Sequence, residues 1–456
     1  MDSAKLLAIV LGGVALGACG GSTKADVSVS GDGGAEGEDG SSSSSSSSGG
    51  SSSDGGSSPD GSSSSDGGSS TGPTGFAIPL SAPGGADYEY TAEGTVGGQT
   101  FHMTIDTGST TLGLAGMGCS GCTGVSPLYT PSSSAKATGK NGDSEYEDGS
   151  GWSGPIYSDT VGLGHGSPSV SIDLVDITTA SMFFGGNSYQ GIIGLGPQGN
   201  AVDGTTGYMP ALMMSAGMTN IFAFALCDSS GANAGTMWLG GDGSPGADVV
   251  YTPLIPITED NPYYGINVDA VSLGGTSVVS NAASTFAKPV LDTGTSLFYV
   301  PTSVYNAFQT ALGASSGFKA VFGTNTLSTS GGDAGCVTSA GVTDAQVESM
   351  LPPIALSLPA MTSGQPDVTI QGSALDTYLY AQGGGQYCLA IQDGGPPNED
   401  PSTFGDAFLQ AFTTIVDVTG KRVGFAKTSC PTPQVRRVRH PAKTGPHRAP
   451  RPGFKR

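Results

Sequence analysis

The chain has 456 residues, of which 36% are apolar, only 12% are charged and 76 are glycine, and its formal net charge is −21. That composition suits an all-β globular body rich in glycine turns, and the acidic balance excludes a nucleic-acid partner held through phosphate charge. The averages conceal a sharp partition: residues 76–430 hold 29 acidic against 7 basic side chains, whereas residues 431–456 hold 8 basic side chains and no acidic one. A body so acidic is expected to favour low pH, where protonation relieves its self-repulsion.

In chain order, residues 1–19 come first, with Lys5, an apolar run from Leu6 to Leu16, and Leu16-Gly17-Ala18-Cys19 at the end. The run is too short to cross a bilayer and has signal-peptide proportions. Its last four residues resemble the bacterial lipobox, which implies lipidation at Cys19 and export to the cell envelope, at the outer membrane or cell surface. The alternative is an ordinary signal peptide cut near Ala18. Residues 20–75 are almost entirely Ser, Gly and Asp, with eight consecutive serines at 41–48. Such a segment has nothing to bury and reads as a disordered tether, with a root-mean-square reach of roughly 40 Å as a flexible coil. The basic residues 431–456 cannot form a core either and read first as a disordered tail, the alternatives being a contact to an anionic surface polymer or a translation artefact of Arg/Pro-rich character.

Between tether and tail the pattern is of short β segments punctuated by glycine: Tyr88 to Val96, Thr100 to Asp106, Val170 to Thr178, Ile221 to Leu226, Thr236 to Leu239 and Tyr264 to Leu273. Helical signals are few. The clearest is Thr302 to Leu312, where Thr302 can cap, Val304, Phe308, Ala311 and Leu312 share a face, and Gly313 stops the run. A weaker one covers Pro210 to Ala216. The length accommodates two lobes with separate cores, 76–250 and 251–430.

One motif occurs twice, once per lobe: Asp106-Thr107-Gly108-Ser109-Thr110 and Asp292-Thr293-Gly294-Thr295-Ser296. Each follows an apolar run of β character, Phe101 to Ile105 and Phe286 to Leu291, so each Asp is expected where a strand ends in a tight turn. The glycine lets the backbone fold back, and the hydroxyl neighbours can hydrogen-bond a carboxylate and hold its orientation. A lone Asp-Thr-Gly is a turn signal, but a second copy in the other half points to two carboxyls facing one another.

These motifs, with Tyr146-Glu147-Asp148-Gly149-Ser150, Gly191-Ile192-Ile193-Gly194-Leu195-Gly196 and Phe404-Gly405-Asp406-Ala407-Phe408-Leu409 in that order, make the chain resemble the pepsin-like aspartic peptidases from about Asp87 to Cys430. The resemblance implies a bilobal all-β fold of two pseudo-symmetric barrel-like lobes with a cleft between them. Asp106 and Asp292 would be catalytic, supported by Thr107, Gly108, Ser109, Thr293, Gly294 and Thr295. Tyr146, Asp148, Gly149 and Ser150 would form a flap over the cleft. By alignment, Phe183, Tyr189 and Ile192, with Thr104 at the far edge, would line the pocket for the residue before the scissile bond and favour bulky apolar substrates. Gly113 stands where the family usually carries a tryptophan that bonds the flap tyrosine, and Trp152 on the returning flap strand is expected to substitute for it sterically. His102 and His165 lie by no nucleophile motif and read as strand and loop residues.

With Cys19 set aside for lipid, six cysteines remain, and an exported protein is expected to pair them. The resemblance implies Cys119–Cys122 as a small loop disulfide and Cys336–Cys388 in the second lobe, leaving Cys227–Cys430 to tie the C-terminus to the first lobe. The implied chemistry is peptide hydrolysis by water, without a metal, other cofactor or covalent intermediate. Two carboxylates about 3 Å apart would repel by about 5 kcal/mol at an effective dielectric of ~20, roughly 4 pKa units, so the pair keeps one proton at mildly acidic pH. The expected partners are protein or peptide substrates and a membrane reached through the anchor; the chain is expected to be a monomer. A catalytically silent surface lipoprotein of the same fold, binding proteins or glycans, is the alternative, against which stand two whole Asp-Thr-Gly loops.

Overall fold

Phe101, Met103 and Ile105 are fully buried while Thr100 is exposed and His102 half-buried, the period of two that makes Gln99–Asp106 a strand with one face on a core. That strand delivers Asp106 to its C-terminal end. The computed structural model describes residues 75–430 other than 83–88, 147–148, 185–188, 203, 228–230, 247, 259–260, 281–284, 287–288, 324–334, 384, 397–401 and 429. The leader with Cys19, most of the tether, Glu147, Asp148 and the basic tail therefore lie outside the described residues.

The same arrangement of four strands surrounds each Asp-Thr-Gly turn. In the first lobe Gln99–Asp106 runs parallel to Gly191–Gly194, which lies antiparallel to Leu112–Ser120, itself parallel to Val170–Ser181. In the second, Val290–Leu291 runs parallel to Thr403–Phe404, which lies antiparallel to Phe298–Val300, itself parallel to Ile391–Asp393. This repeat makes the fold bilobal, all-β and pseudo-symmetric. The two lobes also share a sheet. Phe412–Asp417 of the second lobe pairs with Ile221–Leu226 of the first on one side and with Arg422–Lys427 on the other, and Val250–Pro253 adds the outer strand. On the first-lobe side the sheet continues through Gly231–Leu239 and Phe76–Ala82 into the strands that carry Asp106, thirteen strands in all.

Three disulfides join Cys119 to Cys122, Cys336 to Cys388 and Cys227 to Cys430. Cys336 and Cys388 face one another across neighbouring antiparallel strands. Cys227 follows Ile221–Leu226, and Cys430 follows the strand Arg422–Lys427, so the last bridge sits at one end of the shared sheet.

Several elements differ from their sequence readings. The expected strand from Tyr264 to Leu273 is regular only over Ala270–Leu273. Its first half is spent on the second Asp loop, where the Tyr264 carbonyl accepts from Leu291 N–H at 2.8 Å and Gly265 bridges Val290. The run from Phe286 shortens to the strand Val290–Leu291, because Pro289 brings no N–H to a ladder. The long helix is Thr302–Ala314, with Pro301 rather than Thr302 as its extended N-cap; Thr302 Oγ1 instead donates to Asp393 Oδ1 at 2.6 Å. Gly313 does not stop it. Ser315 ends it and caps the next helix, Ser316–Phe322, by accepting from Phe318 N–H at 3.0 Å. The weaker helix begins earlier than expected, at Tyr208. Asp344–Met350, entered through a capping box between Thr343 and Gln346, is a further helix that the apolar pattern did not signal.

Candidate active site

Asp106 and Asp292 are both buried, 2% and 0% exposed, and their loops are packed against each other. A Cβ added to Gly108 would lie 2.5 Å from the Asp292 carboxyl, and one added to Gly294 would lie 2.5 Å from Asp106 Oδ1. Only glycine lets each loop approach the opposite carboxyl this closely. Within each loop the carboxylate is gripped at both oxygens. Asp106 Oδ1 accepts from Gly108 N–H at 2.8 Å and Ser109 N–H at 3.1 Å, while Ser109 Oγ donates to Oδ2. Asp292 Oδ1 accepts from Gly294 N–H at 2.8 Å, and Thr295 Oγ1 donates to Oδ2 at 2.6 Å.

The remaining hydroxyls do something else. The Thr107 hydroxyl donates to Leu291 O at 2.8 Å and accepts from Thr293 N–H at 3.0 Å, and the Thr293 hydroxyl donates to Ile105 O at 2.8 Å and accepts from Thr107 N–H at 3.1 Å. The expectation that every hydroxyl neighbour orients a carboxylate thus holds for Ser109 and Thr295 and not for Thr107 and Thr293. These two threonines cross over and fix one loop to the other, which holds the two carboxyls in register.

Burial raises the pKa of both aspartates. The hydrogen bonds from Ser109, Gly108 and the Asp292 carboxyl partly offset this at Asp106, while the neighbouring Asp106 charge drives Asp292 well above the usual carboxylate range. Two hydrogen-bonded carboxyls in so dry a place retain a proton between them, and they titrate as a unit. A third buried carboxyl lies close by. Asp406, 0% exposed, opens the short helix Asp406–Leu409, and neither of its oxygens has a hydrogen-bond partner among the described residues. Desolvation, then the charges of Asp292, Glu89 and Asp106, hold its pKa well above the ordinary carboxylate range.

Above the dyad, Lys136–Glu145 and Gly151–Gly162 form a hairpin whose turn is closed by Tyr146 N–H to Ser150 O at 2.8 Å and Gly149 N–H to Tyr146 O at 3.0 Å. Asp148 lies outside the described residues. The Tyr146 phenol is pushed up chiefly by burial and secondarily by the Asp106 charge, which puts it within electrostatic reach of the dyad. Its ring stacks on Phe183, centroids 5.5 Å apart and planes 16° from parallel. Phe183, Tyr189 and Ile192 fall in one apolar cluster beneath the hairpin, each 4% exposed or less, and the Tyr189 hydroxyl donates to Phe183 O at 2.6 Å. Thr104, 8% exposed, pairs directly with Ile192 across the parallel strands. His102 sits on its strand 3.8 Å from Glu93, and His165 occupies an exposed turn at φ 52°.

Among the features sequence reasoning missed are the crossed threonines and the burial of Asp406. Asp406 stood within the segment Phe404 to Leu409 that carries part of the family resemblance, which was the available signal for the second.

A family model described as eukaryotic aspartyl protease matches residues 89–428. The chain is similar to an aspartic protease of Phaffia rhodozyma, 29% identical over 349 residues that cover 75% of this chain and 77% of that protein. It is also similar to polyporopepsin of Irpex lacteus, 27% identical over 354 residues, 73% of this chain and 92% of that protein. Secreted aspartic protease 8 of Candida albicans is 35% identical over 189 residues, 41% of this chain and 43% of that protein.

Proposed function

The chain belongs to the eukaryotic aspartyl protease family, and we propose that it acts as an aspartic-type endopeptidase in which Asp106 and Asp292 share one proton and activate water together. The observation that carries this reading is the mutual packing of the two turns, with two buried carboxyls bonded to each other and each gripped by its own loop. The ionised member takes a proton from water as the water oxygen attacks the peptide carbonyl carbon, and the protonated member gives its proton to the carbonyl oxygen. When the resulting gem-diol collapses, the C–N bond breaks and a proton passes to the departing nitrogen. Ser109 and Thr295, by donating to the outer oxygens, keep both carboxyls aimed at the shared centre. The working pH is acidic, since the pair must be neither fully protonated nor fully ionised.

Tyr146, with Asp148, Gly149 and Ser150, acts as the flap. Phe183, Tyr189 and Ile192, with Thr104 at the edge, receive a bulky apolar residue before the scissile bond. The Tyr146 ring stacks on Phe183 here, so substrate enters only after the hairpin lifts. The body works as a monomer in an oxidising, extracytoplasmic space, where three disulfides persist. It is held to a bacterial envelope by lipid on Cys19 at the end of the leader and tether.

The test is digestion of a mixed peptide library between pH 2 and 7 by the wild type, Asp106→Asn and Asp292→Asn. Cleavage by the wild type alone is expected, fastest at acid pH, because an amide can neither take the water's proton nor complete the shared-proton pair. No cleavage by the wild type, or activity retained in both variants, replaces this reading with that of a silent binding protein.

A further inference from the structure

The flap contains a hydrogen bond that belongs entirely to the hairpin. Trp152 Nε1 donates to Tyr146 Oη at 3.0 Å, and the indole is 5% exposed. Ser144 stands directly opposite Trp152 in the hairpin register, and its hydroxyl also hydrogen-bonds the Tyr146 phenol. The phenol oxygen is therefore held from both strands of the hairpin at one register position. Space for the indole comes from Gly113, on the strand Leu112–Ser120 below. A Cβ at Gly113 would already meet Trp152 Cε2 and Cζ2 in van der Waals contact at 3.5 Å and Ile177 Cδ1 at a tight 3.1 Å, so the indole packs directly over this glycine.

We propose that Trp152 is a positioning residue for Tyr146, and that with Ser144 it makes the flap a self-contained unit whose tyrosine keeps its orientation whether the hairpin is raised or lowered. Trp152 thus does more than fill the space above Gly113. A donor rooted in the lobe body would have to release Tyr146 each time the flap lifted. A donor on the flap itself travels with it, so the ring arrives over Phe183 and the dyad already aimed. The cost of ordering the phenol on closure is then met within the hairpin, which is the condition for a productive lid. This inference rests on the peptidase reading for its kinetic consequence but not for its geometry.

Two measurements on the full chain separate those parts. Trp152 and Trp238 are the only tryptophans, so the protein has two indole N–H resonances. Replacing Tyr146 by Phe should move the Trp152 resonance upfield and lower its protection from solvent exchange. An unchanged resonance overturns the latch whatever the activity. In peptide cleavage, Trp152→Phe keeps the packing and removes the donor. A net hydrogen bond of about 1–1.5 kcal/mol corresponds to a loss of roughly tenfold in kcat, with KM changed less than about twofold. Ser144→Ala should give a smaller loss in the same direction. On a Tyr146→Phe background, Trp152→Phe should cost nothing further, because its partner is already gone. Additive losses, or wild-type kcat in Trp152→Phe, mean that the indole merely packs, and the proposal falls. Absence of cleavage by the wild type counts against the peptidase reading and the kinetic role together, and the resonance still decides whether the latch exists.

Discussion

The crossed threonines predict a large effect from a small change, Thr293→Val. Valine keeps the branched shape and removes only the hydroxyl, which donates to Ile105 O and accepts from Thr107 N–H. Thr293 is 0% exposed and Thr107 1%, so no bulk water replaces the lost partner. Leaving a buried polar group unsatisfied costs about 1–3 kcal/mol, and two groups lose their partner, which sets the expected destabilisation at about 2–6 kcal/mol. Against a total stability of about 5–15 kcal/mol that is a severe loss for one oxygen atom. The control is Thr293→Ser, which keeps the hydroxyl and removes one methyl, worth about 1 kcal/mol. Urea unfolding at fixed pH, followed by far-UV circular dichroism, measures both variants against the wild type. The reasoning is refuted if the valine and serine variants unfold at the same midpoint, since the two cross-loop bonds of the Thr293 hydroxyl would then contribute nothing beyond packing.

Asp406 gives a pH-dependent prediction. Burial holds its folded pKa well above the ordinary carboxylate value, so its contribution is fully present below about pH 4 and is lost as pH rises through the folded value. Asp406→Asn removes that loss. The stability difference, variant minus wild type, should therefore grow with pH by up to about 1.4 kcal/mol per unit, and parallel curves from pH 3 to 7 would show that the carboxyl is not desolvated. At the other end of the chain, Cys19→Ala should release the protein from the membrane fraction to the soluble one; unchanged fractionation removes the lipid anchor from the proposal.

Both Asp loops were legible because the same five-residue pattern recurs after two apolar β runs, and only a pair of turns has a reason to be copied. The strands Gln99–Asp106 and Ile221–Leu226 were legible for an equally local cause, an alternating or continuous apolar run with clear ends. What the pattern could not reveal was which hydroxyl serves which loop. Thr107 and Ser109 both lie within reach of Asp106 along the chain, and only the approach of the second lobe turns Thr107 away to Leu291. The Trp152 bond escaped for a similar reason: the sequence offered an indole of suitable bulk, and its N–H direction is set by hairpin register. The helices Ser316–Phe322 and Asp344–Met350 are short amphipathic pieces whose capping residues, Ser315 and Thr343, carry more information than their apolar spacing.

The shared sheet also dictates when this protein can finish folding. Ile221–Leu226 is apolar throughout, and every one of its residues is buried in the finished structure. One edge of that strand is covered by Phe412–Asp417, which leaves the ribosome close to two hundred residues later. Until then a nascent first lobe presents an open, hydrophobic strand edge, the kind of surface on which chains join each other. Pairing across so long a stretch is also slow, because loop closure must come before any contact rewards it. A chain cut just before Phe412 would therefore fail although it still carries Asp106, Asp292 and Asp406. It would carry an adhesive edge with nothing of its own to cover it, and aggregation would claim it before half an enzyme could be observed.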